Sequence, residues 1–162
     1  MRAIVALGSN LGNGADNLRR ATALLAEEVG SIVAESPMYS TEPWGFDSAN
    51  TFTNSVLLID TDLTPQQLLD AAQHIERQMG RTAKSHNGVY ADRLIDIDLI
   101  DCDGCVLRTA ALTLPHPLMH RRAFVLQPLC DVWPQWLHPV LHRTAAELWH
   151  ALPPTAESVK QN

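Results

Sequence analysis

The chain has 162 residues, 46% hydrophobic and 19% charged, which suits a single globular domain long enough to bury a proper core. Twelve Lys and Arg against eighteen Asp and Glu leave a net charge of −6, which argues against non-specific binding to nucleic acid. No stretch approaches the ~20 apolar residues of a membrane span, so no membrane partner is expected.

"RAIVAL" at 2–7 predicts a first strand. Gly, Ser and Asn follow it instead of a cleavage-type ending, so a signal peptide is not expected and a cytoplasmic location is. "GSNLGNGADN" reads as a loop, with Asp16 or Asn17 as the cap of the next helix. Leu18, Ala21, Leu24, Leu25 and Val29 give that helix an apolar face, and Gly30 is its expected stop. "SIVAESPMYS" is a second strand bent at Pro37, and "TFTNSVLLID" a third. "DLTPQQLLDAAQHIERQMG" predicts a second helix with Thr64 as N-cap, Pro65 at its first position and Gly80 at its end.

Residues 81–93 are polar and unpatterned and are expected to form a mobile loop. "ADRLIDIDLID" at 91–101 then supplies a fourth strand, and Asp103-Gly104 predicts a type I′ hairpin into "CVL". "LTLPHPLMHRRAFVLQPLCDV" is a proline-bounded turn leading into a short helix that Arg121 and Arg122 begin. "RTAAELWHAL" is a last helix, and 153–162 a frayed tail. The order βαββαβ over the first 100 residues is that of a ferredoxin-like α+β fold, an antiparallel sheet with helices packed on it. A C-terminal hairpin and helix extension completes a single domain over 1–152.

Cys102, Cys105 and Cys130 do not make a disulfide framework, and "CDGC" lacks further ligands at zinc spacing. Reduced thiols are expected.

The chemistry concentrates in the fourth strand. Alternation puts Asp96 and Asp98 on one face and Ile95, Ile97 and Leu99 on the other. Two Cα atoms that far along a strand lie roughly 6.6 Å apart, so the carboxylates repel unless a cation joins them. Mg²⁺ fits, since it takes hard oxygen ligands and is held by one or two carboxylates plus phosphates. A solvated Asp face on a half-exposed strand explains D-x-D equally well. Seven of the twelve basic residues lie between 77 and 122: Arg77, Arg81, Lys84, Arg93, Arg108, Arg121 and Arg122. Arginines converging on metal-binding carboxylates are the electrostatic kit of phosphoryl transfer. A basic solvated surface is the open alternative.

No G-x-x-x-x-G-K-[ST] is present, so a P-loop is excluded. His116, fixed between Pro115 and Pro117, is placed either to donate to a phosphate or simply to pack in a rigid turn. Phe52 and Asn54 share a strand face and Phe124 follows Arg122, which offers a flat heterocycle two stacking faces and an edge. Plain core packing of both Phe is the alternative.

Six segments in order, "ALGSNLG" at 6–12, "YSTEPWG" at 39–45, "FTN" at 52–54, "IERQMGR" at 75–81, "DRLIDIDLI" at 92–100 and "LTLPHPLMHRRAFVLQPL" at 112–129, carry a further reading. With them the chain resembles the 6-hydroxymethyl-7,8-dihydropterin pyrophosphokinases of the folate pathway, over roughly residues 3–150. The resemblance implies transfer of the β,γ-diphosphoryl group of ATP to the pterin hydroxymethyl oxygen, with release of AMP. It implies two Mg²⁺ ions on Asp96 and Asp98, and Arg81, Arg93, His116 and Arg122 on the phosphates. Gln73, Glu76, Lys84, Leu99 and Thr113 complete the implied nucleotide set, with Glu76 near the ribose. Phe52 and Phe124 would sandwich the pterin, while Thr41, Pro43, Trp44, Asn54 and Asp96 line its edge. The implied partners are these two small molecules, and the implied state is a monomer. The proton acceptor stays open between Asp98 and a water.

Two departures stand out. "TAKSHNGVYAD" at 82–92 is longer and less basic than in many relatives, with Tyr90 in place of a tryptophan. Pro117 stands where some members carry a tyrosine. Two rival readings use the same residues: a two-metal phosphohydrolase, and a ligand-binding module without turnover.

Overall fold

The computed structural model describes residues 1–41, 51–80, 94–153 and 159–161. β1 (Arg2–Ser9) pairs antiparallel with β4 (Phe52–Thr61) on one side and β5 (Asp96–Cys102) on the other. β2 (Gly30–Glu35) and β3 (Tyr39–Thr41) both run against β4, separated where Pro37 interrupts the segment. With α1 (Gly14–Glu28) between β1 and β2, and α2 (Pro65–Gln78) between β4 and β5, this is the ferredoxin-like arrangement.

Alternation along the strands builds two cores. Val5, Leu7, Leu57, Ile59, Ile97 and Leu99 point to one face, where Leu18, Ala21 and Leu25 of α1 and Leu68, Ala72 and Ile75 of α2 cover them. Ile4, Val56, Leu58 and Ile100 point to the other, under α3 (Ala123–Val132) and α4 (Ala145–His150). The C-terminal helices thus form a third layer.

α2 starts as expected: Thr64 accepts from the Gln67 N–H, Gln67 reaches back to the Thr64 N–H, and Pro65 opens the helix. α4 repeats the box with Thr144 and Glu147. α1 differs, because Asn13, and not Asp16 or Asn17, is its cap and accepts from the Asp16 N–H at 3.1 Å. The helix can begin so early because residue 14 is glycine: a Cβ there would lie 2.4 Å from Thr53 Oγ1. α1 stops at Gly30 as expected, with Val29 as its C-cap. Gly30 opens β2, where a Cβ would lie 2.1 Å from the Asp60 carbonyl oxygen.

The Asp103-Gly104 turn has both φ angles positive, 52° and 70°, as a type I′ turn requires. The chain does not return along β5, however. β6 (Leu107–Arg108) pairs with β7 (Thr113–Leu114) in a separate two-stranded ribbon. The outer edge of β5 is already taken, by Glu76 at the Ile97 N–H and by the His116 N–H at the Ile100 carbonyl. The expected tail also differs: β8 (Val159–Gln161) pairs with β3, adding a strand to the edge that β3 would otherwise leave unpaired. Arg121 closes a 3₁₀ turn, Met119–Arg121, and Arg122 is the N-cap of α3, so neither opens the helix itself.

Candidate active site

The face of the sheet under α3 changes character along its strands. Across the first rungs it is apolar, with Ile4 beside Val56-side packing and Leu58 in the core of α3 and α4. Further along β1 the side chains shrink to Ala6 and Gly8, and their partners on β5 are Asp98 and Asp96. Asp96 and Asp98 are half-buried, whereas Ile95, Ile97 and Leu99 between them are sealed in the opposite core. The alternation read from the sequence therefore holds, and β1 sets only the small residues Ala6 and Gly8 against the two carboxylates.

Gly8 pairs with Asp96 on one side and with Asn54 on the other, and Asn54 in turn pairs with Tyr39. Cross-strand partners share a face, so Asp96, Gly8, Asn54 and Tyr39 form one row. A Cβ on Gly8 would stand 3.0 Å from Asn54 Oδ1 and 3.9 Å from Phe52 Cδ1. Asn54 is 5% exposed, and its buried Nδ2 has no hydrogen-bond partner among the described residues. An unsatisfied buried donor costs stability, so an amide kept here has a task other than folding.

α3 brings the second wall. The Arg122 guanidinium carbon lies 5.5 Å from the centroid of the half-buried Phe124 ring, a cation–π contact. Burial, then the charge of Arg122, pushes the His116 imidazole down to about 4, with Asp96 opposing the shift. His116, Arg122 and Asp96 are therefore electrostatic neighbours. The His116 N–H donates to the Ile100 carbonyl at 2.9 Å and its Nδ1 accepts from the Leu118 N–H at 3.1 Å, which pins the LPHP turn to the end of β5.

On the α2 side Glu76 is 6% exposed, and its carboxylate accepts from the Ile97 N–H at 2.9 Å. Glu76 thus ties α2 to the edge of the aspartate strand. Gln73, half-buried, lies one turn earlier on the same helix face. Thr113 is exposed on β7. The Leu99 side chain is buried in the core, so only its backbone can meet a ligand. Thr41 ends β3. Arg81, Lys84, Arg93, Pro43 and Trp44 lie outside the described residues, as do Tyr90 and the loop expected over 81–93.

Three residues escaped the sequence reading. Gly8 was legible only as part of a glycine-rich segment, not as the opening between Asp96 and Asn54. Tyr39 is 2% exposed and donates its hydroxyl to the Asp131 carboxylate, which fastens β3 to the far end of α3. Asp101, at the start of the hairpin, is 1% exposed and accepts from Gly104 N–H at 3.0 Å and Trp136 Nε1–H at 3.2 Å.

A family model described as 7,8-dihydro-6-hydroxymethylpterin-pyrophosphokinase matches residues 4–134. A 2-amino-4-hydroxy-6-hydroxymethyldihydropteridine pyrophosphokinase of Porphyromonas gingivalis is 47% identical over 136 residues, 83% of this chain and 92% of that one. The enzyme of the same name from Bacillus subtilis is 37% identical over 82% of this chain and 78% of its own. A folic acid synthesis protein of Dictyostelium discoideum is 38% identical over 92% of this chain, which spans 22% of that longer protein. Among solved structures, a Plasmodium falciparum HPPK-DHPS with pteroate superposes with a TM-score of 0.74 at 16% identity, over 92% of this chain and 42% of that one. That likeness supports the fold; the family rests on the closer sequences. The chain belongs to the 7,8-dihydro-6-hydroxymethylpterin pyrophosphokinase family, and its activity is that of a pterin pyrophosphokinase of folate biosynthesis.

Proposed function

We propose that the row Asp96–Gly8–Asn54, with Asp98 one rung away and His116 and Arg122 beside it, is where ATP gives its diphosphoryl group to the pterin hydroxymethyl oxygen. The observation that carries this reading is the buried Asn54 Nδ2, unpartnered among the described residues, across Gly8 from the half-buried Asp96 on one row of the sheet. The pterin lies flat between Phe52 and Phe124, and Asn54 supplies its amide to the ring edge, with Asp96, Thr41, Pro43 and Trp44 completing the rim. His116, neutral and held by the Leu118 N–H, donates from Nε2 to a phosphate oxygen, and Arg122 adds a fixed positive charge. Arg81, Arg93 and Lys84 neutralise the rest of the triphosphate. Gln73, Glu76, Thr113 and the Leu99 backbone hold the nucleoside.

Mg²⁺ fits the donor set, since Asp96 and Asp98 offer hard oxygens on one face with only Ala6 and Gly8 beside them. Two ions held there would shield the charge of the phosphates and of the leaving AMP. The hydroxymethyl oxygen forms the new bond to the β-phosphorus as its proton passes to Asp98 or to a water, the bond from that phosphorus to the α-phosphate bridging oxygen breaks, and AMP leaves. Orientation by two aromatic walls and the Asn54 amide accounts for most of the rate, because the hydroxyl is a weak nucleophile. The chain acts as a monomer in the cytoplasm, with these two small molecules as partners. No helix among the described residues is long and apolar enough to cross a membrane.

The test is one incubation with ATP, Mg²⁺ and 6-hydroxymethyl-7,8-dihydropterin, with AMP and inorganic phosphate both measured. AMP should form in step with pterin diphosphate and only when the pterin is present. Inorganic phosphate released without pterin would instead mark a phosphohydrolase, and ligand binding without turnover a binding module.

A further inference from the structure

α3 carries Phe124, and little in the helix itself fixes where that ring stands. The N-terminus of α3 has no side-chain cap among the described residues. Pro128 lies inside the helix and has no N–H to give the Phe124 carbonyl four residues back. Val125, Leu126 and Leu129 hold α3 on the sheet through apolar contacts, which are not directional. The spacing between Phe124 and Phe52 on β4 therefore has to be set by a tie elsewhere.

Tyr39 supplies one. A helix turns about 100° per residue, so Asp131, seven residues after Phe124, lies within about 20° of the same face and roughly 10 Å further along α3. The buried Tyr39 donates its hydroxyl to the Asp131 carboxylate. Tyr39 pairs with Asn54 on β4, and two residues further on Thr41 pairs with Phe52. The tie thus joins the strand pair that holds Phe52 and Asn54 to the helix face that holds Phe124.

β3 does not depend on this bond for its own place, since it is laddered to β4 on one edge and to β8 on the other. What the hydroxyl adds lies out of the sheet, as a fixed reach to α3. Burial, then the bond to Asp131, pushes Tyr39 up to about 12, so the phenol stays a donor at neutral and mildly alkaline pH. Asp131 is exposed, so water can take over its carboxylate when the phenol is removed, and the fold then loses little. A stacked ring is less forgiving. A gap wider by about 0.5–1 Å forfeits about a quarter to a half of the dispersion attraction across it.

We propose that Tyr39 and Asp131 are positioning residues for the pterin: their hydrogen bond sets the gap between Phe52 and Phe124, and through that gap the pterin affinity. The inference rests on the reading of those two rings as the walls of the pterin site. Both residues act through Phe124 and not on the reacting atoms, so the effect falls on one substrate and not on the chemical step.

The experiment is steady-state kinetics of AMP formation with ATP, Mg²⁺ and 6-hydroxymethyl-7,8-dihydropterin, together with melting curves. Tyr39→Phe should raise the pterin KM at least about fivefold, while kcat and the ATP KM change less than about twofold and Tm stays within about 4 °C. Asp131→Asn should keep the pterin KM within about twofold of the parent, because the amide oxygen still accepts the phenolic proton. Asp131→Leu should raise it as Tyr39→Phe does, and the double variant should raise it no further than the larger single change. If Asp131→Leu does not fold, Tyr39→Phe against Asp131→Asn decides. Tyr39→Phe with a lowered Tm and an unchanged pterin KM would make the bond merely structural and overturn the proposal. So would equal losses for both substrates, or Asp131→Asn impaired as much as Tyr39→Phe. A parent chain that forms no AMP with the pterin would overturn the reading of the site and this inference with it; an active parent that Tyr39→Phe matches overturns this inference alone.

Discussion

The two faces of the central sheet come from the same strands and do opposite work. On the α1/α2 face Val5, Leu7, Leu57, Ile59, Ile97 and Leu99 are at most 5% exposed and meet only apolar partners. On the α3/α4 face the rows begin apolar, then pass through Ala6 and Gly8 to the carboxylates of Asp98 and Asp96 and the unpartnered Asn54 amide. One face stores stability. The other trades apolar packing along one end for two half-buried carboxylates and the Asn54 amide. Because side chains alternate, a change on one face can be made without touching the other.

Breaking the stable face should have the largest effect. Leu57→Ala, at a position with 0% exposure, should cost about 2–5 kcal/mol in chemical denaturation while the folded fraction keeps its activity. Gly8→Ala works on the other face, since its Cβ would push against Asn54 Oδ1 at 3.0 Å. The expected cost in stability is about 1 kcal/mol, with the pterin KM raised roughly tenfold. Asn54→Leu sharpens the contrast further. It replaces a buried unsatisfied donor by an apolar group of similar shape, so stability should change by less than about 0.5 kcal/mol while pterin affinity falls about tenfold.

The smallest effect concerns Asp101, which burial holds above the usual carboxylate range despite its bonds from Gly104 and Trp136. In the window just above the ordinary value of 3.8, the folded chain then binds more protons than the unfolded one. Stability is full below that window and falls as the pH rises through it. Asp101→Asn should flatten this slope in melting curves recorded across the window, since an amide oxygen can still accept both hydrogen bonds.

The contrast between the faces was legible in the sequence, because period-two alternation in "LIDIDLI" depends on nothing outside the strand. Thr64 as the cap of α2 was legible for the same reason: an N-cap acts within the first turn of its own helix. What failed needed contacts from elsewhere in the chain. Asn13 wins the α1 cap only because Gly14 fits against Thr53. The turn at Asp103-Gly104 was right, but the edge of β5 is claimed by Glu76 and His116, so the next strand pairs forward to β7. Asp101 sits at the hairpin and takes the local Gly104 N–H, but its contact with Trp136 was not legible, because the register shifts between Ile4 and Val5, leaving Ile100 as an extra residue on β5. That bulge turns Asp101 out of the α1/α2 core and towards Trp136. Of the residues singled out, Asp96, Asp98, Phe52 and Asn54 lie on one sheet face, His116 neighbours Asp96 and Arg122, and Arg122 stacks on Phe124. Arg81, Lys84 and Arg93 lie outside the described residues.

The most direct measurement is made on Asp96→Asn/Asp98→Asn, comparing AMP formation and thermal unfolding with the parent chain. If these carboxylates serve chemistry and not folding, AMP formation should fall at least a hundredfold while Tm stays within about 3 °C, and added Mg²⁺ should not restore activity. A variant that still makes AMP near the parent rate, or one that is inactive only because it no longer folds, would contradict the division of labour between the two faces.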